Sequence, residues 1–161
     1  MTQVTPPVTT GGSAPKRRPV ESRQPSSGEV WRTFPSATQE EVLTAVAAAR
    51  AVQPAWAAQP LGVRLSALRR FHDLVFTRRG EIAELISRET DKPVAEAMGA
   101  EVGVVLDDVQ FLQRAVPQLA HSPWFGSASL AYARKRLRIV HEPYGVVAII
   151  SPWNYPFMLA C

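Results

Sequence analysis

Asn154 is the residue of this 161-residue chain best placed to do chemistry, because it stands between two prolines in Pro152-Trp153-Asn154-Tyr155-Pro156. Its carboxamide NH₂ can donate to an oxygen that becomes negative during a reaction. Such a donor works only when rigidly held, and a turn with proline on both sides supplies that rigidity. An Asn at a strand-to-helix turn also has two ordinary roles, capping the helix and hydrogen bonding within the turn. On spacing alone these outrank the oxyanion role. Trp153 beside it is either a core anchor or one wall of a pocket for a flat ligand.

Little else in the chain offers chemistry. His72, His121 and His141 stand apart, with no second His, Cys or carboxylate at metal-ligand spacing, so no metal site is expected. There is no G-x-G-x-x-G and no phosphate-loop pattern. Ser66 and Ser87 lie in helical stretches and lack the strand-turn-helix setting of a nucleophilic serine. The single cysteine, Cys161, rules out an internal disulfide framework and fits a reducing compartment such as the cytoplasm.

The elements that would position Asn154 follow from the flanking pattern. The apolar run Val146-Val-Ala-Ile-Ile150 reads as a strand covered on both faces, as in a parallel sheet flanked by helices. Pro156 suits the first turn of a helix. Further back, residues 29–35 alternate as an edge strand after the Ser27-Gly28 turn signal. Thr38-Gln-Glu-Glu41 forms a capping box that starts a helix bearing Val42, Val46 and Ala49, with Pro54 expected to end or kink it. A second helix carries Leu61, Leu65, Leu68, Phe71 and Val75 and should stop at Gly80; a third, over 81–89, carries Ile82, Leu85 and Ile86. The longest helix is expected over 94–120, with Met98, Val102, Val105, Val109, Leu112, Val116 and Leu119 on one stripe. That stripe could form a coiled-coil seam, but three amphipathic helices precede it and need a face to cover. Pro117 would end or bend it. Residues 131–142 lose helical spacing, gather Arg134, Lys135, Arg136 and Arg138, and read as exposed strands able to add to a neighbour's sheet.

Composition limits the partners. A hydrophobic fraction of 46% supports a globular core. The net charge is +4, of which residues 1–28 hold +3 (Lys16, Arg17, Arg18 and Arg23 against Glu21), leaving +1 for the remainder. A basic tail without interleaved aromatics is a poor nucleic-acid footprint, so no nucleic-acid partner is expected. Residues 1–27 are rich in Thr, Pro, Ser and Gly and are expected to be disordered. No apolar run approaches the roughly 18–20 residues that cross a bilayer, so no membrane partner is expected. The polar stretch after Arg17-Arg18 lacks the apolar region of an export signal.

These motifs resemble the aldehyde dehydrogenase superfamily. Pro152-Trp153-Asn154-Tyr155-Pro156 is similar to its Pro-Trp-Asn-Tyr/Phe-Pro turn, Glu142-Pro143-Tyr144-Gly145 to its Glu-Pro-x-Gly lead-in, and Arg88-Glu-Thr-Asp-Lys-Pro-Val-Ala-Glu96 to its Glu-x-Gly-Lys-Pro-x-x-Glu segment. Asp91 departs from the usual Gly, which should affect only a turn. The resemblance runs from about Gly28 to Cys161. It implies an α/β fold, here the N-terminal fragment of an aldehyde dehydrogenase: a disordered tail at 1–27, a mainly helical part at 28–130, oligomerisation-arm strands at 131–144, and at 145–161 the first buried strand of a Rossmann-like cofactor domain with its turn.

The resemblance also implies roles. Asn154 matches the oxyanion-stabilising Asn, while Ser151, Pro152, Trp153 and Asn154 match the turn lining the NAD or NADP cleft. Tyr155 and Leu159 match positions on the aldehyde entry tunnel. In such enzymes a cysteine thiolate attacks the aldehyde, hydride leaves for NAD(P)⁺, and water hydrolyses the thioester. The arm implies a homo-oligomer for a whole enzyme. The family's nucleophilic Cys, general-base Glu and cofactor-binding Lys all lie downstream of the turn, and Cys161 lacks the Gly-Gln-x-Cys setting of the nucleophile. The 161 residues alone are therefore expected to be inactive. The alternative function is a non-catalytic dimerisation fragment that pairs with a full-length relative through its arm.

Overall fold

The computed structural model describes residues 18–126, 131 and 134–161. Its first element lies inside the stretch expected to be disordered. Strand β1 (Pro19–Arg23) pairs antiparallel with β2 (Val30–Pro35), with Val20 opposite Phe34 and an irregularity at Ser22/Arg23. Order arises there because the strand finds a ladder partner, a contact that composition does not register. Gly28 closes the connecting loop at φ 71, donating its N–H to the Gln24 carbonyl at 2.8 Å. The remaining expected tail, 1–17, lies outside the described residues.

Five helices and one π-helical turn follow among the described residues: α1 (Gln39–Ala57), α2 (Leu61–Thr77), α3 (Arg79–Thr90), α4 (Val94–Ala97), the π turn Met98–Gly103, and α5 (Val104–Ala120). The capping box at α1 forms as expected. Thr38 Oγ1 accepts from the Glu41 N–H at 3.2 Å and Glu41 Oε2 accepts from the Thr38 N–H at 2.8 Å. Because α1 contributes no buried residue to the core, its start depends on this local pairing. Thr38→Ala is expected to cost about 0.5–2 kcal/mol and to fray the first turn of α1, measurable as faster amide exchange there with the α3 amides unchanged.

Several expected boundaries are corrected. Pro54 does not end α1, which continues to Ala57 and is closed by the Ala58 N–H on the Pro54 carbonyl. Gly80 does not stop α2; that helix ends at Thr77, and Gly80 sits in the first turn of α3. A helix of 94–120 does form, but it is interrupted by the π turn, and Pro117 is carried within α5. Each proline gives up its own N–H bond to the carbonyl four residues back, and each lies in the last turn of its helix, which ends three residues later.

The core sits between α2, α3 and the start of the long helix: Val75, Ala83, Ile86, Ala97 and Val102 are buried, with Phe71, Ile82, Met98, Leu106 and Phe157 against them. Val105 and Val109 extend the buried line along α5. Through Val109, then, the apolar stripe covers preceding helices, and beyond it Leu112 and Leu119 are exposed. Among the described residues no helix is long and apolar enough to cross a membrane.

The last third departs most from expectation. Strand β4 (Arg136–Arg138) pairs antiparallel with β3 (Trp124–Gly126), so the basic segment folds onto an upstream partner that the sequence pattern did not mark. Tyr132 lies outside the described residues. The buried strand expected at 146–150 is absent: Ile150 is 96% exposed, and Val147 and Ile149 are also exposed. A buried strand needs neighbours on both edges, and β1–β2 and β3–β4 are the two sheets among the described residues. Nor does a helix follow Pro156; one loose turn closes with the Cys161 N–H on the Phe157 carbonyl at 3.2 Å.

Candidate active-site turn

The turn carrying Asn154 rests on an ion pair. Lys92 follows the C-terminus of α3, where Asp91 takes the left-handed conformation at φ 57. Gly adopts that conformation without penalty, and Asp is among the few other residues that tolerate it. The Asp91 carboxylate also accepts the Ser26 hydroxyl at 2.9 Å, tying the β1–β2 loop to the same corner. The Lys92 carbonyl accepts the Ser87 hydroxyl at 2.7 Å, and Pro93 fixes the chain on the other side. Lys92 Nζ is thereby aimed inward.

It meets Glu101 Oε1 at 2.6 Å, and the Glu101 side chain is fully buried in the π turn. The same ammonium donates to the Asn154 backbone carbonyl at 2.8 Å and lies 4.1 Å from the centre of the Tyr155 ring. The other Glu101 oxygen, Oε2, accepts from the Phe157 N–H at 2.9 Å and the Met158 N–H at 3.4 Å. Two charges from α3–α4 and the π turn therefore hold both ends of the 154–158 segment.

The expected site residues are placed as follows. Ser151 and Pro152 are exposed, and Trp153 is 85% exposed. It is not a core anchor; it forms one side of a shallow groove with Pro156, Ser22 and Phe34 of the β1–β2 hairpin. The Asn154 carboxamide is exposed and takes no hydrogen bond from the described residues, so it neither caps a helix nor closes the turn. Tyr155 is half-buried beneath Lys92, while Leu159 is exposed with its N–H 3.3 Å from the Tyr155 carbonyl. Ser151 to Asn154 thus form one continuous exposed edge, with Tyr155 half-buried and Leu159 exposed beyond it.

Sequence reasoning missed Glu101. Its position carried a signal: three residues after Met98 and four before Val105, it lies on the apolar stripe, and a carboxylate there needs a buried partner. Lys92 was visible only as part of a motif. His72, expected to be isolated, has Nδ1 3.3 Å from Asp73 Oδ1 and Nε2 3.2 Å from Gln110 Nε2, linking α2 to α5.

Cys161 lies beside Met158, Leu112 and Val109 in a groove of about 290 Å³. Partial burial pushes its thiol pKa up from the ordinary value. A raised thiol pKa leaves less thiolate at neutral pH, the opposite of what a nucleophilic cysteine needs. Iodoacetamide is therefore expected to alkylate Cys161 more slowly at neutral pH than it does a cysteine in an unstructured peptide, with the rate still climbing above the ordinary thiol range. A faster rate would contradict the placement.

The fold is shared with dehydrogenases of known structure. One, from Sinorhizobium meliloti 1021, assigned as a methylmalonate-semialdehyde dehydrogenase and complexed with NAD, superposes with a TM-score of 0.76 at 29% identity, covering 92% of this chain and 29% of that one. Another, the NADP-dependent glyceraldehyde-3-phosphate dehydrogenase of Bacillus halodurans C-125 complexed with NADP, gives 0.71 at 29% identity, covering 91% and 30%. In sequence, the N-succinylglutamate 5-semialdehyde dehydrogenase of Novosphingobium aromaticivorans is 38% identical over 141 residues, 87% of this chain. The aldehyde dehydrogenase family model matches residues 12–161, and the chain belongs to that family. It spans about 28% of the length of the curated relatives it matches.

Proposed function

We propose that this chain supplies the oxyanion-stabilising turn and one wall of the cofactor cleft of an NAD(P)-dependent aldehyde dehydrogenase that oxidises an aldehyde to a carboxylic acid. The observation that carries the reading is the free, exposed carboxamide of Asn154 on a turn held from beneath by Lys92 and Glu101. A donor already paired inside its own turn could not serve a substrate oxygen; this one is available.

The exposed edge Ser151, Pro152, Trp153 and Asn154 fits the flat face of a dinucleotide, with the open Trp153 ring as its apolar element. NAD or NADP, when bound, accepts the hydride. Asn154 would donate to the aldehyde oxygen as it gains charge, and Tyr155 and Leu159 would face the substrate path. The β3–β4 hairpin, with exposed Leu137 and Arg138 stacked 5.1 Å from the Trp124 ring, is the surface we assign to self-association.

The test is a chimera in which residues 1–161 replace the matching part of the Novosphingobium relative, assayed for aldehyde-dependent NAD(P)H formation. Activity is expected from the chimera and none from residues 1–161 alone, whose one cysteine lacks the nucleophile's motif. A correctly folded but inactive chimera, or an active 161-residue chain, would refute the reading.

A further inference from the structure

We propose that Lys92 and Glu101 act as a positioning pair that sets the backbone of the Asn154 turn. The side-chain hydrogen bonds of the pair are directed at that segment or at each other. Lys92 has three donors and three partners: Glu101 Oε1, the Asn154 carbonyl and the Tyr155 ring face. Glu101 spends one oxygen on Lys92 and the other on the Phe157 and Met158 amides. A buried ion pair that served only the helices would direct its remaining capacity to α3 or α5. Here the contacts go to residues 154, 155, 157 and 158, more than fifty positions away in sequence.

The surrounding elements support this. Lys92 is fixed between a left-handed Asp91 and Pro93, and Glu101 sits in a π turn, a winding often found where a helix is adapted to a site. The segment's internal backbone bonds are 3.2–3.3 Å, and Phe157 packs against the core. The pair does not touch a reacting atom. Its catalytic meaning rests on the oxyanion role proposed for Asn154; its effect on the turn does not.

The experiment reads the turn in the 161-residue chain by NMR. In Lys92→Met, Glu101 remains as acceptor, yet the Phe157 and Met158 amides are expected to exchange about tenfold faster relative to Val105 and Val109 in the same sample. An equal acceleration at all four would mean general destabilisation and would overturn the proposal. Should Lys92→Met fail to fold, the double variant Lys92→Met/Glu101→Leu restores an apolar core. In it the α3 and α5 shifts should be retained while the Asn154 and Tyr155 backbone amides show increased fast motion. If both stay ordered, Phe157 packing alone holds the turn and the pair has no positioning role. In an active chimera the double variant should lower kcat with little change in cofactor KM. An inactive parent chimera would defeat the functional reading and leave the NMR result standing.

Discussion

Asn154→Ala, in an aldehyde dehydrogenase carrying this chain as its N-terminal part, is expected to lower kcat by about a hundredfold to a thousandfold, or roughly 3–4 kcal/mol, the usual effect of losing one oxyanion donor. Three features confine the loss to the chemical step. The carboxamide makes no hydrogen bond to the described residues, so its removal breaks nothing in the resting protein. The Asn154 backbone carbonyl, which holds Lys92 at 2.8 Å, is kept in the alanine variant. The side chain is exposed, so stability should move by no more than about 0.5 kcal/mol. A fall in kcat at unchanged melting temperature and nearly unchanged aldehyde KM is therefore the expected pattern, because the donor acts on charge that exists only in the transition state. Asn154→Asp should fare no better, since a carboxylate cannot donate and would face the developing negative oxygen. An unchanged kcat in the alanine variant would remove Asn154 from the reaction.

How much of this was legible depended on whether the determining contacts were local. The start of α1 was readable because Thr38 and Glu41 are three residues apart and satisfy each other. The buried line Val102, Val105 and Val109 was readable because one helix carries it. The β1–β2 hairpin was missed on its first strand, since Val20 is ordered by Phe34 across the ladder and by the Ser22 hydroxyl on Glu89 at 3.3 Å. The strand expected at 146–150 failed for the complementary reason: apolar content favours burial, but only adjacent strands could supply it. For the site, the Pro-Trp-Asn motif located the turn, whereas the charges beneath it required knowing that Lys92 and Glu101 reach Asn154 and Phe157 across the fold.

The largest stability effect should come from that same pair. Glu101→Ala would leave the Lys92 ammonium, only 10% exposed at its side chain, without its counter-ion, and would strip the Phe157 and Met158 amides of their acceptor. Removing one partner of a buried ion pair typically costs about 3–5 kcal/mol, far more than the roughly 0–1 kcal/mol of an exposed pair. Against a whole-domain stability of about 5–15 kcal/mol, that is enough to leave a weakly stable chain partly unfolded at room temperature. Urea unfolding at low temperature with a stabilising osmolyte is the suitable measurement, and a large drop in midpoint at similar slope is the expected result. Glu101→Gln should lose less, because its carbonyl oxygen can still accept the Phe157 and Met158 amides that share Oε2, while its NH₂ group cannot pair with Lys92. The Lys92→Met/Glu101→Leu double variant should recover most of the midpoint, since apolar residues of similar volume remove the need for a counter-ion. A Glu101→Ala chain that unfolds within about 1 kcal/mol of the parent would mean that water reaches Lys92 and the pair behaves as an exposed one. The contrast between recovered stability and unrecovered turn order in the double variant separates what the pair does for the core from what it does for Asn154.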